Sequence, residues 1–288
     1  MAPREIGLLS FNLASVMLLG EFSPTNVPEV VASLCYTESI PMSNAPEGDV
    51  ITADADHQPN VPQLGKPPVW LAPLLVIVSV GLGFAAVYIV GAFQRFYYPP
   101  MHDQLGDPPW YIEAVRKSML ANDAIAFSLA GGLVVGVIGL LSGLARSPGK
   151  AAIGLLAGVC LGAGAGGVGG PIGYYIQDML QQKDMDTALK TSAIWATPFL
   201  LIGLAGGAVT AMALLRGAVV PAISWGLGLG AAMMLAYILV ATMLFPMSRP
   251  EYVYPGEESE FGIRLTAFVC WSLAAGLVPA VMALRTKS

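Results

Sequence analysis

Charge is what this chain has least of. Asp, Glu, Lys and Arg together make up 11 % of its 288 residues, where soluble domains carry about 25 %. None of these residues, and no histidine, falls inside any of the six long apolar runs. The two histidines, His57 and His102, both lie outside them. Histidine-activated nucleophiles, a His-Glu-x-x-His zinc site and a His-ligated haem are therefore excluded from the apolar part. The runs also lack an Asp pair for aspartyl-protease chemistry, and the chain has no Walker A loop for a nucleotide. Basic residues do not dominate: the net charge is −5, which leaves no electrostatic footprint for nucleic acid. Cysteine is scarce too. Cys35, Cys160 and Cys270 make no disulfide framework, and the last two, set in apolar runs, read as small packing residues. We expect no catalytic residues, no metal ligands and no cofactor.

What the chain does have is apolar length. Hydrophobic residues make up 55 % and mean hydropathy is +0.66. Six stretches reach the roughly 20 residues a membrane span needs: Trp70–Phe93, Ala124–Ala145, Ala151–Ile176, Thr191–Leu215, Gly217–Pro246 and Leu265–Leu284. The expected fold is an all-α, polytopic transmembrane bundle of six spans, solvated mostly by lipid. Asp123 sits at the edge of the second span, where with Asn122 it reads as a helix cap. Asp107-Pro108-Pro109 reads as the start of a surface helix feeding that span.

Glycine is abundant and ordered. Gly154, Gly158, Gly162, Gly166 and Gly170 recur every four residues in the third span. On a helix this is a bare stripe ~24 Å long, along which a neighbour can lie almost backbone to backbone. In lipid, such small-xxx-small contacts drive association in place of a hydrophobic effect. The string Gly166-Gly-Val-Gly-Gly-Pro-Ile-Gly173 is also where a helix would break most readily, because Pro171 removes a backbone donor.

The spans repeat. The even ones share Leu129-Ala-Gly-Gly-Leu-Val134, Leu204-Ala-Gly-Gly-Ala-Val209 and Leu273-Ala-Ala-Gly-Leu-Val278. These strings align Gly132, Gly207 and Gly276, followed four residues on by Gly136, Ala211 and Ala280. The odd spans share Gly81-Leu-Gly-Phe-Ala-Ala86, Cys160-Leu-Gly-Ala-Gly-Ala165 and Gly226-Leu-Gly-Leu-Gly-Ala231. Similar segments beginning at Ala114, Ala188 and Gly262, spaced 74 and 74 residues apart, precede the even spans. The pattern predicts three tandem two-helix hairpins, near residues 70–145, 151–215 and 217–285, about a pseudo-threefold axis. All three cross in the same sense, as parallel repeats do. The mitochondrial carriers share a three-by-two layout, but their Pro-x-[Asp/Glu]-x-x-[Lys/Arg] motif follows none of the odd spans here.

Loop charge sets an orientation. Arg146, Lys150, Arg216, Arg285 and Lys287 make one side purely basic, while the other carries eleven acids against seven cations. By the positive-inside rule both termini face the cytoplasm, in an inner or plasma membrane of bacterial type. Residues 1–69 form an acidic cytoplasmic tail, with eight acids against Arg4 and Lys66, too polar for most of it to fold. Its apolar Ile6–Gly20 fits an interfacial helix, and a start at Met42 would remove it. Glu5 argues against a signal peptide.

Arg116, Lys190 and Arg264 hold matching places in the repeats. They read either as an anion-attracting ring at the outer mouth or as three snorkelling anchors. Gly139-Leu-Leu-Ser142-Gly143 falls short of a rhomboid-type Gly-x-Ser-Gly motif and has no base to serve it. These readings describe a non-enzymatic subunit or scaffold of a membrane assembly, held to other subunits or to itself through glycine-lined helices. The alternative is a channel or uncoupled transporter for a small solute, with a pseudo-threefold path.

Overall fold

In the computed structural model the described residues are 70–93, 108–181, 183–214, 219–245, 250 and 261–285. The tail 1–69, Arg216, Lys287 and the Glu251–Glu260 loop lie outside them. The described residues form six helices and no strand: α1 Leu71–Phe93, α2 Pro109–Leu144, α3 Pro148–Leu180, α4 Thr187–Leu214, α5 Val219–Leu244 and α6 Phe261–Arg285. Each is long and apolar enough to cross a bilayer. In hydrocarbon, a helix satisfies every backbone donor and acceptor within its own segment, so apolar runs of this length become helices.

The helix starts follow local chemistry. Ser147 caps α3 by accepting a hydrogen bond from the Lys150 amide at 3.2 Å, with Pro148 in the first turn. Asp186 does the same for α4, accepting from the Ala188 amide at 2.9 Å. Three expectations change. The capping position of α2 is Pro108, which makes no side-chain cap bond, and Asp107 lies outside the described residues. The surface helix and the second span are one continuous helix of 36 residues, which places Asp123 in a helix interior and not at a cap. At 1.5 Å per residue that helix is about 54 Å long, well beyond the hydrocarbon thickness. Finally, α3 does not break at Gly166–Gly173 but runs through Pro171 to Leu180. Gly166, Gly167 and Gly170 are pressed against α2 there and Gly169 against Pro198 of α4, and that packing is lost if the helix unwinds.

The arrangement has an inner and an outer layer. The even helices α2, α4 and α6 all touch one another. Among the described residues, α1, α3 and α5 touch none of each other, and each lies in the groove between two even helices. The membrane windows of the even helices are 56 %, 67 % and 67 % buried, those of the odd helices 33 %, 28 % and 22 %. The odd helices are thus mostly clothed by lipid, and the core belongs to the even ones.

Each odd helix is locked to one even helix by an antiparallel ladder of small residues. Between α2 and α3 the rungs are Phe127–Gly166, Gly131–Gly162, Val135–Gly158 and Gly139–Gly154, with Gly143 against Lys150 and Ala151. A side chain at Gly131, Gly139, Gly154, Gly158, Gly162 or Gly166 would overlap the facing backbone carbonyl. Between α4 and α5 they are Phe199–Gly230, Gly203–Gly226 and Gly207–Ala222. Between α6 and α1, Gly83 faces Val269 and Ser272, and Gly276 faces Ser79. There the Ser272 hydroxyl donates to the Ser79 carbonyl at 2.7 Å, a hydrogen bond between helices where water cannot compete.

The centre is aromatic. Phe127, Phe199 and Phe268 come from the three inner helices, with Trp195 of α4, Trp271 of α6 and Tyr237 of α5 beside them, all buried. Ring centroids lie 5.5 Å apart for Phe127–Phe268, 5.8 Å for Phe268–Trp271 and 5.5 Å for Trp195–Tyr237, mostly tilted or edge-on, as the ring quadrupoles prefer. The Trp271 indole N–H donates to the Pro198 carbonyl at 3.0 Å, and those of Trp195 and the Tyr237 hydroxyl converge on the Pro250 carbonyl at 3.1 and 3.0 Å. Every polar handle of these large rings thus has an acceptor.

Two outcomes follow. Gly162→Leu forces α2 and α3 apart and should destabilise by about 3 kcal/mol, lowering the apparent Tm in detergent by about 6–12 °C. Gly164→Leu, two residues on, meets nothing within 4 Å and should shift Tm by no more than about 2 °C. Trp271→Phe loses both volume and the bond to Pro198 and should cost about 1–3 kcal/mol, read by the same thermal scan.

Candidate functional site

The small-residue positions singled out in the sequence divide by role. Gly154, Gly158, Gly162 and Gly166 face the α2 backbone, while Gly170 lies against the Phe127 ring, 2.7 Å from where a side chain would begin. The helix received by this stripe is therefore the chain's own α2. On α2 itself, the closest approach is made by Gly131, Gly139 and Gly143. Gly132 and Gly136 flank them: a side chain at Gly132 would start 3.4 Å from the Val159 carbonyl, and one at Gly136 would start 2.8 Å from a Val159 methyl. Gly207 and Gly276 hold matching rungs, against Ala222 and Ser79. By contact, their counterpart on α2 is Val135, three residues beyond Gly132. Ala211 packs with Ala222 and Met282, and Ala280 is buried in the main core. Gly139 and Gly203 fall outside the shared strings, and Gly131 and Gly226 lie within them without being aligned as contact positions. Their signal is the four-residue spacing: 131-135-139-143, interrupted by one valine, on α2, 203-207 on α4 and 222-226-230 on α5.

The three cations are not equivalent. Lys190 and Arg264 each hold the fourth position of their helix, α4 and α6. Arg116 is a full turn further into α2, and it is engaged: its guanidinium lies 3.2 Å from the Asp178 carboxylate and 5.4 Å from the centroid of the Tyr175 ring. Both partners of that ion pair are more than a third exposed, so it adds little stability but does orient Arg116 along α3. The next residue, Lys117, lies 3.5 Å from Glu113 one turn before it. Ser142 of the glycine-serine string is buried within α2. Among the described residues no group of three His, Cys, Asp or Glu could hold a metal ion.

Where α2 and α3 extend furthest at this end they enclose a cleft of about 460 Å³, lined by Tyr111, Glu113, Arg116, Tyr174 and Asp178 with apolar Pro109, Ile112 and Val115. Further along α2 stand Asn122 and Asp123, both fully buried. Asp123 is 21 residues from the far end of α2 at Leu144. That is about 32 Å, or one hydrocarbon thickness, so the carboxyl lies level with the membrane boundary yet is shielded by protein.

Two kinds of surface thus stand out. One is the set of ladders inside the bundle, which position helices. The other is the cleft between α2 and α3, whose wall carries the Arg116–Asp178 ion pair. No family model, curated protein or solved structure matches this chain.

Proposed function

We propose that this integral membrane protein is a non-enzymatic subunit or scaffold of a membrane assembly. One observation carries the reading. After the ladders are closed within the chain, a second set of small residues remains on the lipid-facing sides of the outer helices. Ser224, Gly228 and Ala232 follow one another along an exposed face of α5, and Cys160 and Gly164 along one of α3. A side chain at Gly81, Gly164 or Gly228 would meet nothing within 4 Å. In lipid, exposed small-xxx-small faces are where another helix approaches most closely. The partner is a second membrane chain or another copy of this one.

The buried aromatic centre weighs against a solute path along the axis between the inner helices. We also read the bundle as three related two-helix units about that axis. The inner-triangle contacts and the matched rungs Gly131–Gly162, Gly203–Gly226 and Ser272–Gly83 support this. In these contacts the strongest pairing joins each even helix to the odd helix after it, with α6 closing onto α1, so units by packing are offset by one helix from hairpins in sequence. The loop charges support cytoplasmic termini.

The test is native mass. Extracted from its own membranes in mild detergent, the protein should run as a large assembly with reproducible co-purifying chains or as a defined oligomer. Gly228→Leu should keep the wild-type Tm within about 2 °C and lose that assembly. A lone monomer that carries a solute flux in liposomes would overturn the reading.

A further inference from the structure

The helix-packing ladders do not account for the cleft between α2 and α3. It lies where the two helices leave the hydrocarbon. The stretch of α2 from Arg116 to Leu144 makes about 42 Å of helix, the thickness of a bilayer with both headgroup layers. Arg116 therefore stands among lipid headgroups.

The cleft offers charges of both signs side by side. Arg116 and Asp178 line it together, 3.2 Å apart, and Glu113 lines it one turn before Arg116 on α2. The ion pair runs through one guanidinium nitrogen. A guanidinium carries five N–H donors and a carboxylate accepts at about four positions, so both groups can engage a ligand with the pair intact. Both are also more than a third exposed. A ligand fits beside such a pair when its own charges run the opposite way, an anion next to Arg116 and a cation next to Asp178. That describes a zwitterion.

The anion that best matches a guanidinium fork in a headgroup layer is phosphate. The cation is selected by what the cleft leaves for it. The Arg116 guanidinium already lies 5.4 Å from the centroid of the Tyr175 ring, so that ring face is not open to a quaternary ammonium as the faces of an aromatic cage are. Asp178 and Glu113 are hydrogen-bond acceptors, and they suit a primary ammonium, which has N–H groups to donate. Lipid also reaches the cleft. Leu161, Val168, Ile172, Tyr175 and Met179 are exposed along one face of α3, and Arg116, over Tyr175, joins that apolar face to the cleft.

We propose that the cleft binds a phosphoethanolamine group carried by a phospholipid whose acyl chain lies along α3. Arg116 holds the phosphate, and Asp178 with Glu113 receives the ammonium. The site stands apart from the small-residue faces, so its failure would leave the scaffold reading intact.

The full-length protein, stripped of lipid in mild detergent, is titrated with dioleoyl phosphatidylethanolamine, phosphatidylcholine and phosphatidylglycerol, and native mass spectrometry counts the bound lipids. One phosphatidylethanolamine should bind at least fivefold tighter than either other lipid. Arg116→Gln and Asp178→Asn should each abolish that preference, and Lys117→Gln, outside the cleft wall, should keep it. Because the ion pair is exposed, both cleft variants should melt within about 3 °C of the wild type. Should either fail to fold, the wild type decides: phosphatidylethanolamine with a diazirine on its acyl chain should mark the tryptic peptide Ala151–Lys183 at least fivefold more than the matching phosphatidylcholine. Glycerophosphoethanolamine separates lipid from soluble ligand. Displacement of the lipid at a hundredfold excess or more supports the lipid, and displacement at matched concentration overturns it as the carrier. Equal binding of the three lipids, equal marking of the peptide, or a preference that survives in both folded variants overturns the proposal.

Discussion

The approach of α2 to α3, backbone against backbone, is the constraint on which the rest of this structure depends. Lipid offers no hydrophobic reward for bringing two apolar helices together, so association rests on dispersion contacts, and these are largest where side chains are missing. Glycine in a helix interior costs about 1 kcal/mol relative to alanine in water. Here that cost is offset by a contact that no larger residue permits. Because each rung has backbone on both sides, the ladder also fixes register. A slide of one residue along α3 would set the leucine, valine and alanine side chains between the glycines against the α2 carbonyls.

From that register the core follows. The ladders set the outer helices into the grooves of the inner three and leave Phe127, Phe199 and Phe268 turned toward the centre with two tryptophans and a tyrosine. A packed aromatic centre and small-residue seams divide the labour: the rings fill volume, and the seams set distance. The indole and phenol groups would be costly without acceptors in such a place. They find them in two backbone carbonyls, that of Pro198 within α4 and that of Pro250 beyond the end of α5.

The charged end is the exception to an otherwise apolar design. α2 and α3 run past the bilayer thickness together, and the same closeness that seals them in the membrane opens into a cleft where their side chains lengthen to Arg116, Tyr174 and Asp178. Asp123 stands at the junction of the two regimes. Its sequence position next to an apolar run reads as a cap, because a helix cap and a carboxyl buried within a helix can use the same residue type at the same place. What separates them is whether the helix continues upstream, and Pro108-Pro109 starts α2 fourteen residues earlier.

The sequence by itself determined the number of helices, their approximate bounds and the importance of the α3 glycines. Length, hydropathy and a four-residue spacing are local quantities, and in lipid a helix is the one structure a lone apolar run can adopt. It also carried the aligned Gly207 and Gly276. Only the tertiary structure decided which helix meets which stripe, that Gly131, Gly139 and Gly143 outrank Gly132 and Gly136, and that Arg116 is held by Asp178. Neighbouring glycines one residue apart point about 100° from one another on a helix, and a string match does not register that difference. The partner's position alone chooses the face, and that position is a property of six helices packed at once.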